Sequence, residues 1–92
     1  MLTFTDAIKA LKEGEKIART EWSHDQYLRL VYIAADGEMT AADEYLEMKL
    51  GITKQVVSSR IDLYDAAGLQ RQNWMASEGD IKAEWQLWVQ HH

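Results

Sequence analysis

The sequence predicts an α+β fold: a small single domain with an antiparallel β-sheet of about five strands, an N-terminal helix and two further short helices. Three observations predict it. Several short stretches alternate their side chains with period two, as strands do; near the end of the chain Trp85, Leu87 and Val89 fall on one face and Gln86, Trp88 and Gln90 on the other. Short turn signals, Asp36-Gly37 and Asp65-Ala66-Ala67-Gly68, follow two of these stretches, while helix-capping signals stand before and between others. Ninety-two residues, 47% hydrophobic and 27% charged, make one domain, 1–92, with a modest core.

Residues 3–13 read as a helix: Thr3 and Asp6 stand in capping-box spacing, Phe4, Ile8 and Leu11 recur at i, i+4 and i+7, and Gly14 ends it. Residues 16–20 form the first strand, with Ile17 and Arg19 pointing one way and Lys16, Ala18 and Thr20 the other. A polar loop, Glu21 to Asp25, carries the single large ring of Trp22. The next strand, 26–34, puts Leu28, Leu30 and Tyr32 on one face and Tyr27, Arg29, Val31 and Ile33 on the other. Residues 40–50 read as a helix capped by Thr40 with Asp43 three residues on, closed by Gly51. Strands follow at 56–64 and 69–75. Ser77 caps a helix of at most two turns, Asp80 supplying the carboxylate of its capping box, and 85–90 is the fifth strand.

Composition excludes several functions. No run approaches a membrane span, and Met1 leads directly into an amphipathic pattern rather than a signal peptide, so the chain reads as cytoplasmic. With no cysteine there are no disulfides, thiol nucleophiles or thiolate-ligated zinc, and the scattered carboxylates and single internal histidine show no metal-ligand spacing. A net charge of -5 opposes a broad nucleic-acid surface, which must neutralise many phosphates, but leaves room for one small anionic ligand. His91 and His92 have the look of an expression-tag remnant and are given no role. The only group resembling acid–base chemistry is Glu21, Ser23, His24 and Asp25, and neighbouring side chains in a loop usually point apart. No glycine-rich phosphate loop and no cofactor motif occurs. What remains is a binding constellation: rings at Trp22, Tyr27, Tyr64, Trp74 and Trp88, which can stack on bases, and forks at Arg19, Arg29, Arg60 and Arg71, which can hold phosphates.

The opening, Thr3 to Arg19 followed by Trp22 and Tyr27-Leu28, resembles a small phage and prophage domain family that includes the second type of Thoeris anti-defence protein. The closing stretches, Arg60-Ile61-Asp62-Leu63, Ala66-Ala67-Gly68, Trp74-Met75-Ala76-Ser77 and Asp80 to Trp85, are similar to the same family's ending. The position before Trp74, usually proline in that family, is Asn73 here, and residues 34–58 do not match.

The resemblance implies a non-enzymatic protein without cofactor that sequesters a cyclic ADP-ribose isomer in the host cytoplasm, as a homo-oligomer, tetramer or dimer. Some relatives take cyclic dinucleotides instead. A competing reading is a protein-binding module using the acidic helix at 41–50. For the ligand reading, Trp22 ranks first as a lone ring in a polar loop, and Arg60 second because alternation gives it a face shared with Asp62 and Tyr64. Tyr27, Asp62 and Trp74 follow, then Ser77 and Asp80, which could hold a phosphate at a helix start although capping alone accounts for both.

Overall fold

The first helix begins where the chain supplies a cap: the Thr3 hydroxyl accepts the Asp6 backbone N–H at 3.2 Å, and helix α1 runs Phe4–Lys12. Gly14 adopts φ 90°, a left-handed value that glycine reaches without strain, and its N–H closes on the Leu11 carbonyl. The computed structural model describes residues 1–48 and 55–89. After α1 come β1 Ile17–Arg19, β2 Tyr27–Ala34, β3 Met39–Ala41, α2 Ala42–Met48, β4 Val56–Asp65, β5 Gly68–Arg71, α3 Glu78–Lys82 and β6 Trp85–Leu87.

The strands form one antiparallel sheet in the order β5-β4-β2-β1-β6, with β3 beside the far end of β2. Helix, strand and turn types agree with the α+β expectation, with one strand more than five. The extra strand is β3. Thr40, read from sequence as a helix cap, instead pairs with Tyr32, and α2 starts only at Ala42. The Asp36-Gly37 turn explains the difference: Asp36 Oδ1 accepts the Glu38 N–H at 2.9 Å, Gly37 takes φ 88°, and the chain folds straight back onto β2. Four strands are shorter than expected, β1 and β2 by a residue or two, and β5 and β6 by more, since β5 ends at Arg71 and β6 at Leu87. Gly51, read as the end of the second helix, lies outside the described residues, as do the side chain of Glu47 and residues Gln90, His91 and His92.

Period two decides which face each residue meets. Register pairs Leu28 with Leu63 and Leu30 with Ile61, so these four share one face, which α1 covers with Ala7, Ala10 and Leu11. Trp85, fully buried, fills the centre of that layer. Its backbone also bridges Leu2 through N–H and C=O bonds of 2.9 and 2.8 Å, which ties the N-terminus to the outer edge of β6. Among the described residues, α2 reaches the opposite face at its margin, where Asp43 bonds Arg29. Arg29, Val31 and Tyr27 lie there opposite Asp62, Arg60 and Tyr64.

Candidate functional site

The face of the sheet away from α1 gathers the binding groups. Tyr27 on β2 stacks on Tyr64 of β4, ring centroids 5.4 Å apart and planes 14° apart, and its other side meets Trp88 at 4.2 Å. Trp88 is pinned by its Nε1–H, which donates to the His24 carbonyl at 2.7 Å, and by its backbone N–H on the Lys16 carbonyl. Tyr27 therefore already has two ring neighbours in the protein. A recess of about 370 Å³ opens beside Tyr27 and Trp88, lined also by Lys16, His24, Asp25 and Asp65. A second, of about 290 Å³, lies on the far side of Tyr64 and is lined by Arg29, Glu44, Arg60, Asp62, Leu69 and Gln72 among others.

The cations on this face are mostly answered by carboxylates. Asp43, on the first turn of α2, accepts two bonds from Arg29 Nη2 at 2.8 and 3.1 Å and lies 3.7 Å from Lys16 Nζ. Burial works against the Asp43 charge, but the Arg29 bonds and charge outweigh it and hold the carboxyl below its ordinary range. Lys16 Nζ also stands 5.8 Å from the Tyr27 ring centroid and 5.9 Å from that of Trp88. Arg60 differs. Its Nε donates to Asp62 Oδ1 at 2.9 Å, and no described residue accepts from its two terminal nitrogens.

A separate aromatic cluster lies on the covered side. Trp85 meets Phe4 at 5.6 Å, Trp22 edge-on at 5.4 Å and Trp74 edge-on at 6.1 Å. Trp22, ranked first as a lone ring in a polar loop, is instead packed against the core. Its N–H bonds the Arg19 carbonyl and Thr20 bonds the Glu84 carbonyl, so the loop curls over the end of the sheet and lays the indole on the core. Trp74 is buried, its N–H on the Ile61 carbonyl at 2.6 Å. The capping box on α3 forms as read: Ser77 Oγ accepts the Asp80 N–H at 3.2 Å and Asp80 Oδ2 accepts the Ser77 N–H at 2.8 Å. Asp80 does more than cap. It accepts Arg19 Nη1 at 2.9 Å, and its carbonyl accepts the Trp85 indole N–H at 2.8 Å. Burial opposes its charge, but the Ser77 bonds and Arg19 prevail and depress its carboxyl.

The seven candidate residues therefore separate. Tyr27, Arg60 and Asp62 share the open face, Tyr27 at one recess and Arg60 with Asp62 at the other, whereas Trp22, Trp74 and Asp80 contact Trp85 on the other side and Ser77 caps α3. Tyr64 and Arg29 belong with the first group, as their alternation with Arg60 and Tyr27 signals, and Trp88 joins it through its contact with Tyr27. Asp43 and Lys16 carried no such signal, because their meeting depends on where α2 lands. In the loop, Ser23 Oγ donates to Asp25 Oδ1 at 2.7 Å, and that bond leads the causes that keep the Asp25 carboxyl depressed. Among the described residues no three histidine or acidic side chains come together as a metal site, and no helix is long and apolar enough to cross a membrane.

No curated protein and no solved structure matches the chain. A family model does: residues 2–88, which include both aromatic groups and the whole described sheet, match the Tad2-like model, described as the Thoeris anti-defense 2-like domain. With its helix, sheet and candidate surfaces all inside that match, the chain belongs to the Tad2-like family of Thoeris anti-defense domains.

Proposed function

We propose that the domain counters Thoeris defence by binding a small signalling nucleotide of the cyclic ADP-ribose class and holding it without cleavage. The observation that carries this reading is Arg60: a guanidinium anchored through Nε, its terminal nitrogens free among the described residues, in a recess walled on one side by the Tyr64 ring. Such a fork suits a phosphate in bidentate geometry, and a ring beside it suits a base or ribose. Sequestration needs slow release and no reacting group. Neither recess, at about 290 and 370 Å³, exceeds the small end of ligand pockets, and both are open. On this reading the working form is a dimer or tetramer, in which a second copy closes the recess, and it acts in the cytoplasm.

Calorimetry with a cyclic ADP-ribose isomer tests the reading, with a cyclic dinucleotide alongside. Arg60→Ala is expected to weaken binding more at low salt than at high, because salt screens the attraction to phosphate. The ligand should be recovered intact after denaturation; product in excess over protein would mean catalysis. A second reading places the ligand at Trp22, which is only half-buried despite its contact with Trp85. Loss of binding in Trp22→Ala but not in Arg60→Ala, both variants remaining folded, would favour it. A chain that binds neither nucleotide, but captures a protein through Asp43 and Glu44, would return the interaction-module reading.

A further inference from the structure

Asp62 is an uncommon residue to find at the middle of a sheet. It is 1% exposed, and isolated carboxylates avoid such burial unless bonded. Its Oδ1 accepts two donors from opposite directions: Arg60 Nε at 2.9 Å along its own strand, and the backbone N–H of Asn73 at 3.0 Å across the edge of the sheet. Asn73 stands at φ 55°, the one described non-glycine residue in the left-handed region. The Asp62 oxygen completes this turn and leads the chain to Trp74, whose N–H reaches the Ile61 carbonyl.

We propose that Asp62 is a positioning residue for Arg60, holding its guanidinium by Nε so that the two terminal nitrogens are presented as a fixed fork to the phosphate of the ligand. This rests on the nucleotide reading above and assigns Asp62 a part in it without ligand contact. Asp62 lines the recess but is only 1% exposed, and its Oδ1 is already bonded to Arg60 and to the Asn73 N–H, so that oxygen is committed to the protein rather than to a ligand. A carboxylate serving only the turn would have no bond to Arg60. With Nε held, rotation of the guanidinium about its last bonds no longer has to be frozen on binding, so less entropy is lost per hydrogen bond formed.

The test uses the intact chain in two arms. In the first, side-chain resonances of Arg60 are followed by NMR: Nε–H should exchange slowly in the parent, and added pyrophosphate or cyclic ADP-ribose should move the terminal nitrogens while Nε–H stays protected. In the second, nucleotide affinity is measured for the parent, Asp62→Asn, Arg60→Ala and the double variant. The asparagine still accepts the Asn73 N–H but no longer holds the guanidinium by charge, so binding should weaken about tenfold. In the Arg60→Ala background the same change should matter less than about twofold, because the group it positions is gone. An equal loss in both backgrounds would make Asp62 merely structural, and tighter binding by Asp62→Asn would show that its charge repels the ligand; either overturns the proposal. If Asp62→Asn does not fold, the first arm decides. Rapid Nε–H exchange with an intact nucleotide response overturns the positioning role alone, whereas a protected Nε–H with no response to any phosphate overturns the nucleotide reading and this proposal with it.

Discussion

Trp85 shows how much one side chain can organise. Its ring is fully buried, its edges meet Phe4, Trp22 and Trp74, and its indole N–H finishes the α3 carbonyl of Asp80. Trp85→Ala should lower unfolding free energy by about 3–5 kcal/mol, since three rings lose their common neighbour and the gap cannot close. Trp85→Phe keeps most of the packing but removes one of two donors to the Asp80 carbonyl, which retains the Ala83 N–H at 3.3 Å, and the lost bond is expected to cost about 0.5–1.5 kcal/mol. Urea titration followed by circular dichroism measures both; an alanine variant as stable as the parent would refute this account of the core. Tyr27 makes the contrasting case. In contact with the rings of Tyr64 and Trp88, it stands at the middle of a row of rings beside the larger recess.

At the scale of elements, the short helix α3 is held mainly by its first turn. The capping box and the Arg19–Asp80 pair, 2.9 Å, fasten it to β1, while Glu21 takes the other side of the same guanidinium. Because the Asp80 carboxyl is depressed in the folded chain, its contribution is complete above the ordinary aspartate range and is lost as pH falls through the lower folded value. Asp43, depressed by Arg29 in the same sense, adds to that acid loss from the other side of the sheet. Asp80→Asn should therefore lower stability at pH 7 by about 1–2 kcal/mol and converge on the parent in strong acid. Thermal unfolding between pH 7 and pH 2 tests this; a constant difference at every pH would remove Asp80 ionisation from the explanation.

For the whole molecule, part of the β4 edge has no partner strand among the described residues. β5 pairs with β4 only from Leu63 to Asp65, so Val57, Ser58 and Ser59 have no described strand outside them. They carry no charge, and Val57 is 58% exposed, which is the kind of edge that natural domains usually blunt. If the working form is an oligomer, this edge is the first place to look for the contact. Light scattering behind size-exclusion chromatography should give a dimer or larger at micromolar concentration, and Val57→Lys should shift it towards monomer without altering the circular dichroism spectrum. A parent that runs as a clean monomer would end the shared-pocket argument, leaving the Arg60 recess to act alone.

The sequence by itself determined the fold class, the caps at Thr3 and Ser77, and the faces of β2 and β4, because these depend on spacing within a few residues. It also put Arg60, Asp62 and Tyr64 on one side, since alternation along a single strand needs no knowledge of what lies next to it. It missed β3, where a tight turn at Gly37 outweighed the helix signal of Thr40. Only the tertiary structure decided the rest. Whether Trp22 is free or packed depends on where its loop meets Trp85, 63 residues later in the chain. The partners of Arg29 and Arg19 come from α2 and α3, and the second donor to Asp62 comes from a left-handed turn 11 residues away. Contacts between distant segments are set by how the layers close on one another, and no local pattern encodes that closure.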